Sequence, residues 1–94
     1  MSFHAKIDEW FTVVENLLDD GYIDYSEVRS LSDDGYALAR KLRARARELE
    51  RLAKNRGKYA HEFRAEARRL LNQADEIEDK ISALWDAYRE KRWR

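Results

Sequence analysis

The chain has 94 residues, of which 40% are charged, with no proline, no cysteine and only three glycines. This composition is typical of helical bundles and coiled coils, and the length suits one domain. It excludes disulfides and thiol chemistry, and no apolar run reaches the roughly 18 residues of a membrane span. We therefore expect a single helical domain over residues 1–94, located in the cytoplasm and without a membrane partner.

Positive and negative charges balance over the whole chain but are separated along it. Residues 1–35 carry nine acidic and two basic residues, a net charge of −7. Residues 40–69 carry twelve basic and four acidic residues, a net charge of +8. Such a separation of charge indicates binding to an oppositely charged partner or to a second copy of the chain. It does not determine the fold.

The first predicted helix runs from Phe3 to Asp19. Ser2 is its expected N-cap, and Gly21 is expected at the C′ position, where glycine takes the left-handed conformation most easily. Apolar residues recur along this helix at the spacing of one helical face: Phe3, Ile7, Trp10, Val14 and Leu17.

The second helix is predicted to begin after Asp24 and to run to about Asn55. Asp24 and Glu27 form a capping box at its start. Ser-Asp-Asp-Gly at 32–35 leaves a kink or a short break open as an alternative to one straight helix. The predicted core frame of this helix follows a heptad spacing: Leu31, Gly35, Leu38, Leu42, Arg45, Leu49, Leu52 and Arg56.

Residues 55–58 predict a turn, because the apolar frame of the last helix is shifted by four residues from that of the second helix. One continuous helix with a four-residue stutter is the alternative. The last helix is predicted from about Lys58 to Trp93, and Leu71 and Trp85 predict that a third helix packs beside its apolar stripe. That stripe keeps a heptad spacing throughout: Phe63, Ala67, Leu70, Ala74, Ile77, Ile81, Leu84 and Tyr88.

These elements predict an all-α fold, a three-helix antiparallel bundle. A long coiled-coil-like helical hairpin is expected over residues 24–93, with the shorter N-terminal helix packed at its base. The tip of the hairpin, roughly residues 43–70, is then left with two helices. At the base we expect Trp10 and Trp85 to share one buried cluster with neighbouring apolar residues: Phe11, Leu84 and Tyr88.

The segment at 20–27 resembles the second half of an EF-hand calcium loop in its glycine, isoleucine and final glutamate. The first half departs from that pattern, because Asn16 and Leu18 stand where aspartate-type ligands belong. A turn with a capping box explains the same residues. His4 and His61 are far apart in sequence, and no serine has a nearby histidine and acid. We therefore predict no metal site, no cofactor and no enzymatic activity.

The candidate functional residues are basic positions of the second helix and of the turn after it: Arg40, Arg43, Arg47, Arg51, Arg56 and Lys58. The first four recur at steps of three and four, so they share one helix face. Acidic residues are scarce in this part of the sequence. We therefore expect charge reversal of Arg43 and Arg47 to weaken partner binding without lowering stability.

The sequence favours a non-enzymatic protein-interaction module that binds a protein with an acidic surface. By analogy of size and class alone, this could be an adaptor, an inhibitor or a phage- or plasmid-type accessory factor. The alternative is a nucleic-acid-binding protein that uses the basic tip, residues 40–69. The acidic base and basic tip also predict a homodimer, paired antiparallel or tip to base, that weakens as salt screens the charges.

Overall fold

The computed structural model of the chain describes residues 3–20, 22–55 and 57–92, with side chains as far as residue 90. This part of the chain forms three helices: α1 (Phe3–Asp19), α2 (Tyr25–Asn55) and α3 (Ala60–Arg92). Four residues that the sequence analysis singled out lie outside the described ranges: Ser2, Gly21, Arg56 and Trp93.

Helices α2 and α3 form a long antiparallel hairpin, and α1 packs on one side of it at the end away from the 57–59 turn. The molecule measures 57 × 26 × 17 Å. This arrangement confirms the predicted all-α three-helix bundle with a short N-terminal helix at the base of the hairpin. None of the described helices combines the length and the apolar character needed to cross a membrane.

The two helix starts have clear backbone signatures. At the start of α2 the backbone N–H of Val28 donates to the carbonyl of Asp24 at 3.1 Å, as the predicted N-cap requires. At the start of α3 the N–H of Phe63 donates to the carbonyl of Tyr59 at 3.0 Å. The turn before α3 is therefore confirmed and the stutter is wrong, although α3 begins at Ala60 rather than at Lys58.

Helix α2 is unbroken across residues 32–35. The buried Ser32 hydroxyl donates to the carbonyl of Val28 at 2.7 Å, so it does not compete with the helix for backbone hydrogen bonds. Gly35 lies directly under Trp10, and a Cβ at this position would come within 2.6 Å of the Trp10 Cζ2 atom. The polar and small residues here therefore permit a close helix contact and do not end the helix.

The seam between α2 and α3 differs from the predicted frame of α2. The predicted frame correctly places Gly35, Leu42 and Leu49 in the core. At the alternate positions it is wrong by one residue, because a small residue faces α3 in place of the predicted larger one. Small side chains let the two backbones approach closely. Arg45, placed in the core by the sequence pattern, is exposed. The buried residues of α2 keep a strict heptad spacing: Val28, Ser32, Gly35, Ala39, Leu42, Ala46, Leu49 and Ala53.

Two of the three leucines at the mispredicted positions, Leu31 and Leu38, serve the contact with α1 instead. Trp10 of α1 is 5% exposed, and its indole Nε1 donates to the backbone carbonyl of Leu31 at 2.8 Å. Leu31 and Leu38 line the groove beside Trp10 on this side of α2. Helix α2 therefore has two apolar stripes, one for α3 and one for α1.

On α3, the side that faces α1 is marked by Glu76 and Lys80, and the Lys80 ammonium lies 3.6 Å from the Glu15 carboxylate. Leu71 and Trp85 are each nine residues from one of these two positions, about two and a half turns, and so lie on the opposite side. The prediction that a third helix packs beside Leu71 and Trp85 is therefore wrong.

The aromatic rings of the base make two separate sets of ring contacts. The Trp10 ring packs edge-on against Phe11 with ring centroids 5.2 Å apart. The half-buried Trp85 ring instead contacts Tyr25 at 5.9 Å and Tyr88 at 6.1 Å. Trp10 and Leu84 belong to one hydrophobic core, and Phe11, Trp85 and Tyr88 pack against it, so the expected cluster at the base is formed. Trp85 is only half-buried, however, and its ring packs on Tyr25 and Tyr88 rather than on Trp10.

Candidate interaction face

Arg40, Arg43, Arg47 and Arg51, here called the arginine strip, lie on the side of α2 away from α1. Arg40 is nine residues from Leu31 and Arg47 is nine residues from Leu38, so each lies about two and a half turns from a leucine that faces α1. The strip extends for about 17 Å along the helix. The prediction that these four residues share one face agrees with the continuous helix.

Three members of the strip are exposed: Arg40, Arg47 and Arg51. Within the described residues, none of these guanidinium groups takes part in an ion pair or a side-chain hydrogen bond. Their charges, spaced by one or two helical turns, repel one another. A ligand with matching negative charge would relieve that repulsion.

Arg43 differs from its neighbours, because two acids of α3 hold it. Its Nη1 and Nη2 atoms donate to the Glu78 carboxylate at 3.0 and 2.5 Å, and Nη2 also donates to Asp75 at 3.1 Å. The hydrogen bond from Arg43 lowers the pKa of Glu78, and the bonds to Glu78 and then Asp75 raise the pKa of Arg43. The expectation that acids are absent around the strip is therefore wrong at Arg43, which joins α2 to α3.

Two candidate residues remain, Lys58 and Arg56. Lys58 lies in the turn and not on the strip, and its ammonium sits 5.6 Å from the centroid of the Tyr59 ring. Arg56 lies outside the described residues. Arg45 is on the side of α1 and donates to Glu48 at 3.1 Å. The structure thus brings together four of the six candidate residues.

The same face of the hairpin continues toward the base with aromatic residues that the sequence analysis did not assign to a site. Tyr36 is four residues before Arg40, hence on the same side of α2, and is 46% exposed. Tyr25 is equally exposed, packs on Trp85 and accepts a hydrogen bond from Arg29 at 3.3 Å. The signal that could have revealed them is the spacing of tyrosine and arginine along one face of α2.

The whole face therefore runs for about 33 Å, from Arg29 to Arg51, with tyrosines and Trp85 near the base and arginines toward the tip. We call it the Tyr/Arg face. In the part of the chain that the structure describes, no cluster of three or more histidine, aspartate or glutamate side chains could hold a metal ion. The EF-hand resemblance fails geometrically, because Leu18 belongs to α1 and packs on the core.

No family model, no curated protein and no solved structure matches this chain. What the protein does has to be inferred from the chemistry of its surfaces, because a helical bundle alone is compatible with many functions.

Proposed function

We propose that the protein is a non-enzymatic interaction module that binds an acidic surface of a partner protein through the Tyr/Arg face. The observation that carries this proposal is the presence, on a side of the hairpin that no described helix covers, of exposed tyrosines beside arginines that lack a partner among the described residues. Arg40 and Tyr36 are the centre of that combination.

The composition of the face supports a protein ligand. Tyrosine, tryptophan and arginine are the residues most enriched among those that dominate binding energy in protein interfaces. The face is about 33 Å long, which is sufficient for an interface of about 800 Å² on this side. Its helical backbone is already ordered, so binding would fix few additional side chains and no loop.

Three features make nucleic acid the weaker ligand. The chain has no net charge, whereas nucleic-acid-binding domains are usually strongly basic. The carboxylates of Asp75 and Glu78 lie beside the strip, where they would repel a phosphate backbone. The Trp85 ring, which could stack on a base, is already packed against Tyr25 and Tyr88.

The proposal is tested by affinity capture with three forms of the tagged protein, after nuclease treatment. The test variant is the double charge reversal Arg40→Glu/Arg47→Glu. The matched control is Arg45→Glu/Arg69→Glu, which makes the same change in net charge on the side of α1. We expect an acidic protein to be retained by the wild type and the control and lost from the test variant. Equal retention by all three forms would contradict the proposal.

Nucleic acid is tested with the same variants and a defined duplex and single strand over a series of salt concentrations. If Arg40, Arg47 and Arg51 contact duplex phosphates, a plot of the logarithm of the binding constant against the logarithm of the salt concentration should have a slope of about −3. If this slope is observed and is lost only in the test variant, the ligand of this face is nucleic acid and not an acidic protein.

A further inference from the structure

The stripe of α2 that faces α1 continues toward the tip, beyond the N-terminus of α1. Leu31 and Leu38 lie beside α1, and Arg45 and Leu52 follow at the same seven-residue spacing. Helix α1 begins at Phe3, whose ring lies 5.9 Å from the Lys41 ammonium. Within the described residues, no helix covers this side of the hairpin from that point to the tip.

A groove of about 410 Å³ opens where α1 begins, and its walls include Leu49 and Leu70. Farther along the same side, Leu52 is half-buried although no third helix lies over it. This uncovered stretch is therefore continuous with the established contact between α1 and the hairpin. We call it the bare half of the hairpin.

The dimensions of the molecule fit a second copy of α1 on the bare half. Helix α1 has 17 residues, a length of about 26 Å, and the whole molecule is 57 Å long. A two-fold axis perpendicular to the long axis would place two α1 helices end to end between two hairpins. Each α1 would then cover the base of its own hairpin and the bare half of its partner.

The charges favour the same arrangement. Helix α1 exposes four acidic side chains, and the base segment 1–35 has a net charge of −7, whereas the tip segment 40–69 has a net charge of +8. Over a rod of 57 Å these ends cannot neutralise each other, because salt screens charges beyond about 8 Å. On the side of α1 the tip carries Arg45 and Arg69, which pair with Glu48 at 3.1 Å and with Glu66 at 2.7 Å. An antiparallel second copy would place its acidic α1 beside these two arginines and within the positive field of the tip segment. The acidic side chains of α1 are Asp8, Glu9, Glu15 and Asp19.

We propose that two copies of the chain form an antiparallel dimer in which α1 of each copy packs on the bare half of the other, over Leu52. The contact lies on the side of the hairpin opposite the Tyr/Arg face. It therefore leaves that face free for a partner, and either proposal can fail without the other.

The first test is sedimentation velocity of the wild-type protein from low to high micromolar concentration at two salt concentrations. We expect a dimer in low salt whose dissociation constant rises as salt is added. Leu52→Gln should raise that constant at least about tenfold, because the leucine is buried twice in a two-fold contact. Circular dichroism checks that the variant keeps its helices. A wild-type monomer in low salt, or an unchanged constant for folded Leu52→Gln, would overturn the proposal.

The second test is a charge exchange that controls for misfolding. Arg45→Glu/Arg69→Glu makes the tip acidic on this side, and Asp8→Lys/Glu9→Lys makes basic the N-terminal half of α1, which would lie beside those two positions. Each variant alone should be monomeric, because like charges meet, and an equimolar mixture should form a heterodimer. A mixture that stays monomeric would overturn the arrangement. Loss of the dimer in Arg40→Glu/Arg47→Glu would also overturn it, by moving the contact to the opposite face.

Discussion

The base and the tip of the hairpin use the same heptad spacing but differ in what covers them. At the base, α1 lies over Leu31 and Leu38, and Trp10 is sealed against Gly35. Toward the tip, no described helix lies over the equivalent leucine, Leu52, which is half-buried like Leu31 and Leu38. The comparison shows that a row of large apolar residues along a helix indicates a contact on that side. It does not indicate which helix makes the contact.

Replacing Trp10 by alanine should be the most damaging change and would test the role of α1 at the base. Trp10 is 5% exposed and hydrogen-bonded to the Leu31 carbonyl, so we expect a loss of about 3–5 kcal/mol in the free energy of unfolding. Urea denaturation followed by circular dichroism measures it. The half-buried Trp85 is the control, and Trp85→Ala should cost less. An equal or larger loss for Trp85→Ala would mean that the base is organised differently.

The next prediction compares one leucine at each end of the seam. Leu84 at the base is fully buried and Leu49 toward the tip is 5% exposed, so their burial in the present structure is similar. Leu84→Ala should cost near the upper end of the usual 2–5 kcal/mol, and Leu49→Ala near the lower end. The reason is that a two-helix tip can collapse around a cavity more easily than a three-helix base.

Chemical denaturation gives both losses, and native-state hydrogen exchange shows where protection is lost. We expect Leu49→Ala to speed exchange mainly in residues 43–70 and Leu84→Ala to speed it throughout. Equal losses with the same exchange pattern would mean that base and tip form one cooperative unit of uniform packing.

The two described glycines provide a smaller and more selective test. Gly35→Ala would place a methyl group 2.6 Å from the Trp10 ring and 2.9 Å from the Ile81 Cδ1 atom. Overpacking of this kind costs about 1–3 kcal/mol, which exceeds the gain of about 1 kcal/mol expected from replacing glycine inside a helix. We therefore expect a net loss, measured by thermal and urea unfolding. Gly57→Ala, which meets nothing within 4 Å, is the control and should be neutral or stabilising.

Stabilisation by Gly35→Ala would contradict the close contact between α1 and α2. It would indicate that Trp10 can move away from the helix without loss, and that the base is packed no more tightly than the tip.

The predictable part of this molecule follows from local chemistry. The N-cap at Asp24, the turn before α3 and the end of α1 at Asp19 were all predicted correctly, because caps and turns depend on residues close in sequence. The buried stripe of α3 was also predicted, since its apolar residues keep the heptad spacing without interruption, whereas Leu71 and Trp85 lie apart from it.

The mistakes have one physical origin. In α2, either Leu38 or Ala39 could be the buried residue of a heptad pattern. The sequence pattern favours Leu38 because it is larger, whereas close packing against α3 requires the small Ala39. The pairing of Arg43 with Glu78 could not be predicted either, because it joins two residues 35 positions apart in sequence and depends on the register between their helices. Both errors concern which helix lies opposite a residue, which periodicity within one helix does not encode.

The smallest expected effect separates Arg43 from the other arginines of its strip. Arg43 is 34% exposed and Glu78 is 39% exposed, so solvent screens their ion pair and Arg43→Gln should lower the free energy of unfolding only slightly at pH 7. The Arg47 side chain has no acidic partner among the described residues, so Arg47→Gln should leave the free energy of unfolding unchanged. Charge reversal at Arg43 should destabilise the protein, contrary to the expectation from sequence, because it places three carboxylates together.

The pH dependence identifies the cause of the Arg43 effect. Since Arg43 lowers the pKa of Glu78 in the folded protein, the stabilisation is fully present above the ordinary glutamate pKa of about 4.3. It is lost as the pH falls through the lowered pKa of Glu78, where the carboxylate is protonated. The unfolding free energies of wild type and Arg43→Gln should therefore converge in acid, as urea denaturation between pH 7 and pH 3 would show. A difference that persists at the lowest pH would instead assign it to packing of the arginine stem.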